Sequence, residues 1–168
     1  MKRTTNSKNS KKVITISIAL GLVILIGILT VLTGEDNTPE TLGVSETGQL
    51  LIDADDVTTT ASFYPYESNG TYMEVIAVRA NDGTVRTALN TCQVCYNSGR
   101  GYYEQLGDVL ICNNCGNQFT IDQIELIKGG CNPVPILDEM KSEDDGIIAI
   151  NPDALAYYEP LFANWKKP

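Results

Sequence analysis

Five cysteines carry the clearest chemistry in this chain, and their spacing is regular. Cys92 and Cys95 are two residues apart, as are Cys112 and Cys115, with sixteen residues between the pairs and fifteen more before Cys131. Two residues between cysteines let both thiolates face one metal from a tight turn. A gap of about 15 to 20 residues brings two such turns together from neighbouring strands, so the pattern points to a four-thiolate site. In ICNNCGNQF the glycine after Cys115 lets the chain turn back and frees backbone N–H groups to donate to the sulfurs. The first pair is looser, because Tyr96 stands where the second pair has glycine.

Structural disulfides and thiol exchange are the rival uses. An odd number of cysteines fits poorly with full pairing, and a bridge inside Cys-x-x-Cys closes a strained, reducible loop. Thiol exchange normally places the first cysteine at a helix N-terminus, whereas YNSGRG after Cys95 does not start a helix. Zinc and an iron-sulfur cluster both accept four thiolates, so the donor type leaves the two open. The chain contains no histidine, which excludes a Rieske ligand set of two cysteines and two histidines. The layout still echoes that architecture: a cysteine loop, a second cysteine loop leading into a phenylalanine strand, then a glycine-proline loop, GGCNPVPI. In that arrangement the last loop is a lid stiffened by Pro133 and Pro135, with Cys131 close to the metal as an alternative ligand.

The elements expected to position these residues are mostly strands. QLLIDADDV and TTASFYPYE are short strand candidates, and TYMEVIAVRANDGTVRTALNT predicts a hairpin turning at Asn-Asp-Gly-Thr. DVLICNN and NQFTIDQIELI flank the second cysteine pair as short strands, MKSEDDG predicts a charged loop, and GIIAI another strand. The end, NPDALAYYEPLFANW, predicts a helix capped by Asn151 with Pro152 at its first position. Its apolar stripe is Leu155, Tyr158, Phe162 and Trp165, broken at Pro160. The expected class is a small, mostly β domain with two Cys-x-x-Cys metal-type loops, Rieske-like or zinc-ribbon-like, and a C-terminal helix.

Ahead of that domain, residues 13–32 are uncharged and apolar over a length that spans a hydrocarbon core of about 30 Å, and they predict one transmembrane helix. A cleavable signal would have a shorter apolar run and a small-x-small exit, which this stretch lacks. The basic residues 1–12 belong in the cytoplasm by the positive-inside rule, residues 33–47 read as a polar linker, and 48–168 form an extracytoplasmic domain at the cell membrane. All 21 carboxylates lie beyond residue 32 against 7 of the 12 cations, a formal charge of −14 for the outer part. Such a surface repels nucleic acid. Hydrolytic and group-transfer catalysis lacks a histidine acid-base group, a Ser-His or Cys-His pair and a phosphate loop, so a carrier or binding protein is expected rather than a catalyst.

The run from Ser62 to Ile136, with TALNTCQVCY, CNNCGNQF and GGCNPVPI as its most specific motifs, resembles the membrane iron-sulfur-containing FtrD-like family of bacterial membrane proteins. The resemblance implies an iron-sulfur cluster, with zinc as the alternative, held among Cys92, Cys95, Cys112, Cys115 and Cys131. It also implies electron transfer linked to ferrous iron uptake, with a membrane iron permease or redox protein as partner. With one predicted span, this chain has no transport path of its own. A zinc-stapled binding module and a metal capture and delivery protein, using Cys131 as a labile ligand, are the competing functions.

Overall fold

The computed structural model describes residues 42–168, so the predicted cytoplasmic tail and transmembrane helix lie outside the described residues. Among the described residues no helix is long and apolar enough to cross a membrane. Residues 42–168 form one compact unit, and within the stretch read as linker Val44 already bridges Leu50.

Among the described residues, ten strands form three antiparallel sheets. The central sheet orders β2 (Ser62–Ser68), β3 (Thr71–Arg79), β4 (Val85–Cys92) and β8 (Pro133–Pro135). β1 (Leu50–Asp53), β10 (Ile147–Ile150) and β9 (Lys141–Asp144) form a second sheet; β5 (Tyr103–Leu106), β6 (Val109–Cys112) and β7 (Gln118–Thr120) form the third. The predicted hairpin is β3–β4, paired from Val75↔Leu89 to Arg79↔Val85 around the Asn-Asp-Gly-Thr turn. Both of its strands are buried on both faces, which is why β3 reads as a nearly continuous apolar run. Met73, Val75, Ala77 and Leu89 face one core with the β1–β10 side. Ile76, Val78 and Ala88 face a second core that contains Cys92, Cys95 and Cys112.

Three segments depart from the sequence reading. MKSEDDG supplies β9, not a loop: Lys141–Asp144 pair with β10 as an edge strand, where charged side chains reach solvent and discourage further pairing. NQFTIDQIELI is extended only at Gln118–Thr120, after which a 3-10 turn, Ile121–Gln123, is held by reciprocal Thr120 and Gln123 capping bonds. GGCNPVPI is not wholly a lid, because Pro133–Pro135 pair with β4 as an edge strand, a position that tolerates proline's missing N–H. The helix α1 (Pro152–Tyr158) begins as expected, with Asn151 accepting from the Asp153 N–H at 2.8 Å. It gives way at Pro160 to a 3-10 turn, Glu159–Phe162.

Candidate metal centre

Each cysteine pair starts at the last residue of a strand. Cys92 ends β4 and Cys112 ends β6, and each is followed by a tight turn to its partner, Cys95 or Cys115. In the first turn the Cys95 N–H donates to the Cys92 sulfur at 3.3 Å, and the chain closes in one 3-10 turn, Tyr96–Ser98, stopped by Gly99 at φ 76°. In the second, Gly116 takes φ 73° and donates to the Cys112 carbonyl at 2.8 Å, which is the turn-back the sequence implied. A third loop, from Glu125 to Asn132, brings in Cys131.

The five thiols meet in two overlapping groups. The sulfurs of Cys92, Cys95 and Cys112 lie within 4.8 Å of one another, and so do those of Cys95, Cys115 and Cys131. Cys95 and Cys131 stand 3.7 Å apart. Burial is graded across the site: Cys92, Cys95 and Cys112 are buried, Cys131 is half-buried and Cys115 is exposed. The site therefore has an inner side in the second core and an outer side at the surface.

Hydrogen bonds tie the three loops together. Gln93 is the main link: its side chain accepts from the Gly129 N–H and donates to the Pro133 carbonyl, each at 3.1 Å. Asn117 donates to the Cys131 carbonyl at 2.9 Å, and Arg100 to the Asn113 carbonyl at 3.2 Å. The Tyr103 hydroxyl also reaches the Cys131 carbonyl at 2.9 Å. Behind them, an irregularity in the β4–β8 pairing between Leu89 and Cys92 carries Asn90 into the interior. Its side chain accepts from the Tyr103 N–H at 2.7 Å and donates to Glu74 at 2.8 Å, while its carbonyl accepts from the Trp165 indole at 2.8 Å.

Local fields divide the thiols. Burial raises Cys92, but hydrogen bonds from Tyr103 and the Cys95 and Val94 N–H groups outweigh it and leave this thiol below its ordinary value. The Asn117 N–H brings Cys115 down. Burial pushes Cys95 up and takes Cys112 to about 12. Cys131 is also raised to about 12, chiefly because its proton serves the neighbouring sulfurs of Cys115 and Cys95. The Tyr103 hydroxyl is raised by burial and then by its bond to Cys92, so it remains a donor.

Five sulfur donors, no histidine and backbone N–H groups directed at the sulfurs suit a thiophilic group, an iron-sulfur cluster or a zinc ion. Residues 57–162 match the FtrD-like family, described as membrane iron-sulfur containing protein. The chain belongs to the FtrD-like family. All five cysteines fall inside the matched segment, and the family description agrees with the donor set. Among curated proteins none matches significantly. Among solved structures, the quaternary ammonium Rieske monooxygenase CntA in complex with an inhibitor aligns with a TM-score of 0.42 and 15% identity. That alignment covers 66% of this chain and 32% of the monooxygenase chain.

The sequence identified all five cysteines but missed the residues that hold them. Gln93 sits between the first pair and was not read as a clamp. Asn90 and Trp165 offer no spacing signal, because their partnership joins positions 75 residues apart.

Proposed function

We propose that this FtrD-like chain is a membrane-anchored, extracytoplasmic iron-sulfur protein that relays electrons at the membrane, in work linked to iron uptake. The observation that carries this reading is the convergence of five sulfurs from three loops, graded from a buried inner side to an exposed outer side. Cys92 and Cys112 hold the inner side from the ends of β4 and β6, Cys115 stands on the outer side, Cys95 belongs to both groups, and Cys131 supplies a fifth sulfur from the third loop. Bound there, an iron-sulfur cluster would take up and release single electrons. The backbone N–H groups of Val94, Cys95, Asn114, Cys115 and Asn117 stabilise negative charge on the sulfurs, and Tyr103 excludes water from the inner side. The predicted span at residues 13–32 keeps the domain at the outer membrane face, and the family description as a membrane protein supports that placement.

The full chain, purified anaerobically in non-ionic detergent, should carry iron and acid-labile sulfide and show a visible absorption that bleaches with dithionite. A colourless protein with one tightly held zinc ion would instead make the cysteines a structural staple and sink the electron-relay reading.

A further inference from the structure

The cations of the outer domain are unevenly distributed. Arg86, Lys141 and Lys167 are salt-bridged to Asp82, Glu125 and Glu74, and Arg79 directs its guanidinium to the carbonyls of Val57, Gly83 and Ala54. The other three, Arg100, Lys128 and Lys166, are exposed and have no carboxylate partner among the described residues. All three stand at the cysteine loops. Arg100 follows the first pair and bonds the turn of the second, and Lys128 lies in the Cys131 loop, one residue from the Gly129 that bonds Gln93. Lys166 donates its N–H to the Gly99 carbonyl at 2.9 Å, and its side chain passes 3.4 Å from the Cβ position of Gly99.

Carboxylates show the opposite pattern. None of the chain's 21 falls within residues 92–101, 111–118 or 126–136 around the site, and Glu125, which opens the third loop, is salt-bridged to Lys141. Glu104, across the β5–β6 pair from Ile111, marks the edge of this region. The same segments expose apolar side chains: Val94 between the first cysteines is 60% exposed, and Leu126 in the third loop is 64% exposed. The outer part, of formal charge −14, thus gathers its unpaired cations at the loops of its cofactor side, beside exposed apolar side chains.

We infer that this face is the docking surface for a protein partner whose own contact patch is apolar and rimmed by Asp and Glu, the partner that exchanges electrons with the site. The inference rests on the electron-relay reading for the partner's purpose. The observed charges carry the location and the chemistry of the contact. Local charge acts within about 8 Å at physiological salt, so three cations near the contact outweigh more distant carboxylates once the partner arrives. A protein suits the face better than a bilayer does, because the loops expose Asn114, Asn117, Gly129 and Gly130, whose polar groups need hydrogen-bonding partners.

The test compares the wild-type full chain, loaded and in non-ionic detergent, with a Lys128→Glu, Lys166→Glu variant that shows the same cofactor spectrum and keeps the Arg100 bond to the Asn113 carbonyl. Oxidation of the dithionite-reduced chain by anionic ferricyanide should slow as salt rises from about 10 to about 200 mM, and should fall roughly tenfold in the variant. A wild-type rate that climbs with salt, as the net negative charge of the outer part alone would give, overturns the inference. A photocrosslinker replacing Val94 in native membranes should give a protein adduct that the double variant abolishes and that exchanges electrons with the loaded chain once isolated. Lipid adducts alone, or flotation of the wild type but not the variant with anionic phosphatidylglycerol vesicles, would assign the face to the bilayer and overturn it as well. If the chain holds no reducible group, the electron-relay reading fails, and the crosslink lost with the Lys128 and Lys166 charges still decides the docking surface.

Discussion

The two cores that share the β3–β4 hairpin are built from different materials. On one side, Leu50, Ile52, Met73, Val75, Leu89, Ile148, Ile150, Leu155 and Phe162 pack aliphatic and aromatic surface between two sheets and α1. On the other, Ile76, Val78 and Ala88 pack against Tyr103, Leu110, Phe119 and Ile124, and thiols occupy the end nearest the loops. The first core is complete in apolar contacts alone. The second contains three buried sulfur groups whose full interaction needs a bound cation or cluster. The difference teaches that one half of the domain serves as a scaffold stable in its own right, while the other is finished by its cofactor.

Breaking the scaffold should have the largest effect. Leu89 is fully buried in the first core, and Leu89→Ala should cost about 2 to 5 kcal/mol of unfolding free energy in urea, by lost transfer and the cavity left behind. The loss should be similar in loaded and stripped protein, since Leu89 faces away from the thiols. A much larger loss in the loaded form would mean that the two cores are not separate. Removing the cofactor should act on the other side alone. Amide hydrogen exchange at Leu110, Cys112 and Phe119 should quicken by roughly a hundredfold or more, while Val75 and Leu89 change by less than about threefold. Equal acceleration in both regions would contradict the division.

The same division explains what could be read from the chain. The scaffold strands were legible where β-branched and aromatic residues cluster, and the β3–β4 turn was legible from Asn-Asp-Gly-Thr. The knuckles were legible because a metal site imposes short, fixed spacing, and Gly116 marks the turn directly. Edge strands were harder. Lys141–Asp144 is almost wholly polar because only one side of its backbone is paired, and Pro133–Pro135 carries residues that argue against a strand anywhere but at an edge. Strand β5 at Tyr103–Leu106 went unread, since four residues with a glutamate and a glutamine give no clear alternation. The charge pattern around the site was hidden for a different reason: Lys166 reaches the first cysteine loop only through the path of the C-terminal segment, which no local signal reports.

That segment offers a sharper test of how the site is held. Trp165 donates to the Asn90 carbonyl at 2.8 Å and packs edge-on to Tyr102 at 6.0 Å, and Asn90 in turn holds the Tyr103 N–H. Trp165→Phe keeps an aromatic ring but leaves a carbonyl in the interior without its donor, a loss of about 1 to 3 kcal/mol. Because the lost bond lies on the strand that ends in Cys92, the visible spectrum of the loaded variant should shift and the cofactor should be released faster to a chelator. Leu89→Ala should change neither. Identical spectra and release for Trp165→Phe and the wild type would reduce the tail to ordinary packing.

The smallest effect belongs to Glu159, which fastens the end of α1 to the β2–β3 turn on the scaffold side. It accepts from Ser68 at 3.0 Å, Asn69 at 2.9 Å and Thr71 at 3.1 Å. The Asn69 and Ser68 bonds lead in holding its carboxyl below the ordinary value. A carboxyl lowered in the folded state binds protons more readily when unfolded. Its contribution is therefore complete above about pH 4.3, the unfolded value, and is lost as pH falls through the lower folded value. The carboxyl is open to solvent, so the contribution is small and screened by salt. Glu159→Gln should lower the urea midpoint slightly at pH 6, and the gap from wild type should close as the pH approaches 3. A gap that widens on acidification would reverse the sign and show that the carboxylate is strained rather than stabilised at this corner. The cofactor spectrum should be the same in both proteins at pH 6, because this contact belongs to the scaffold.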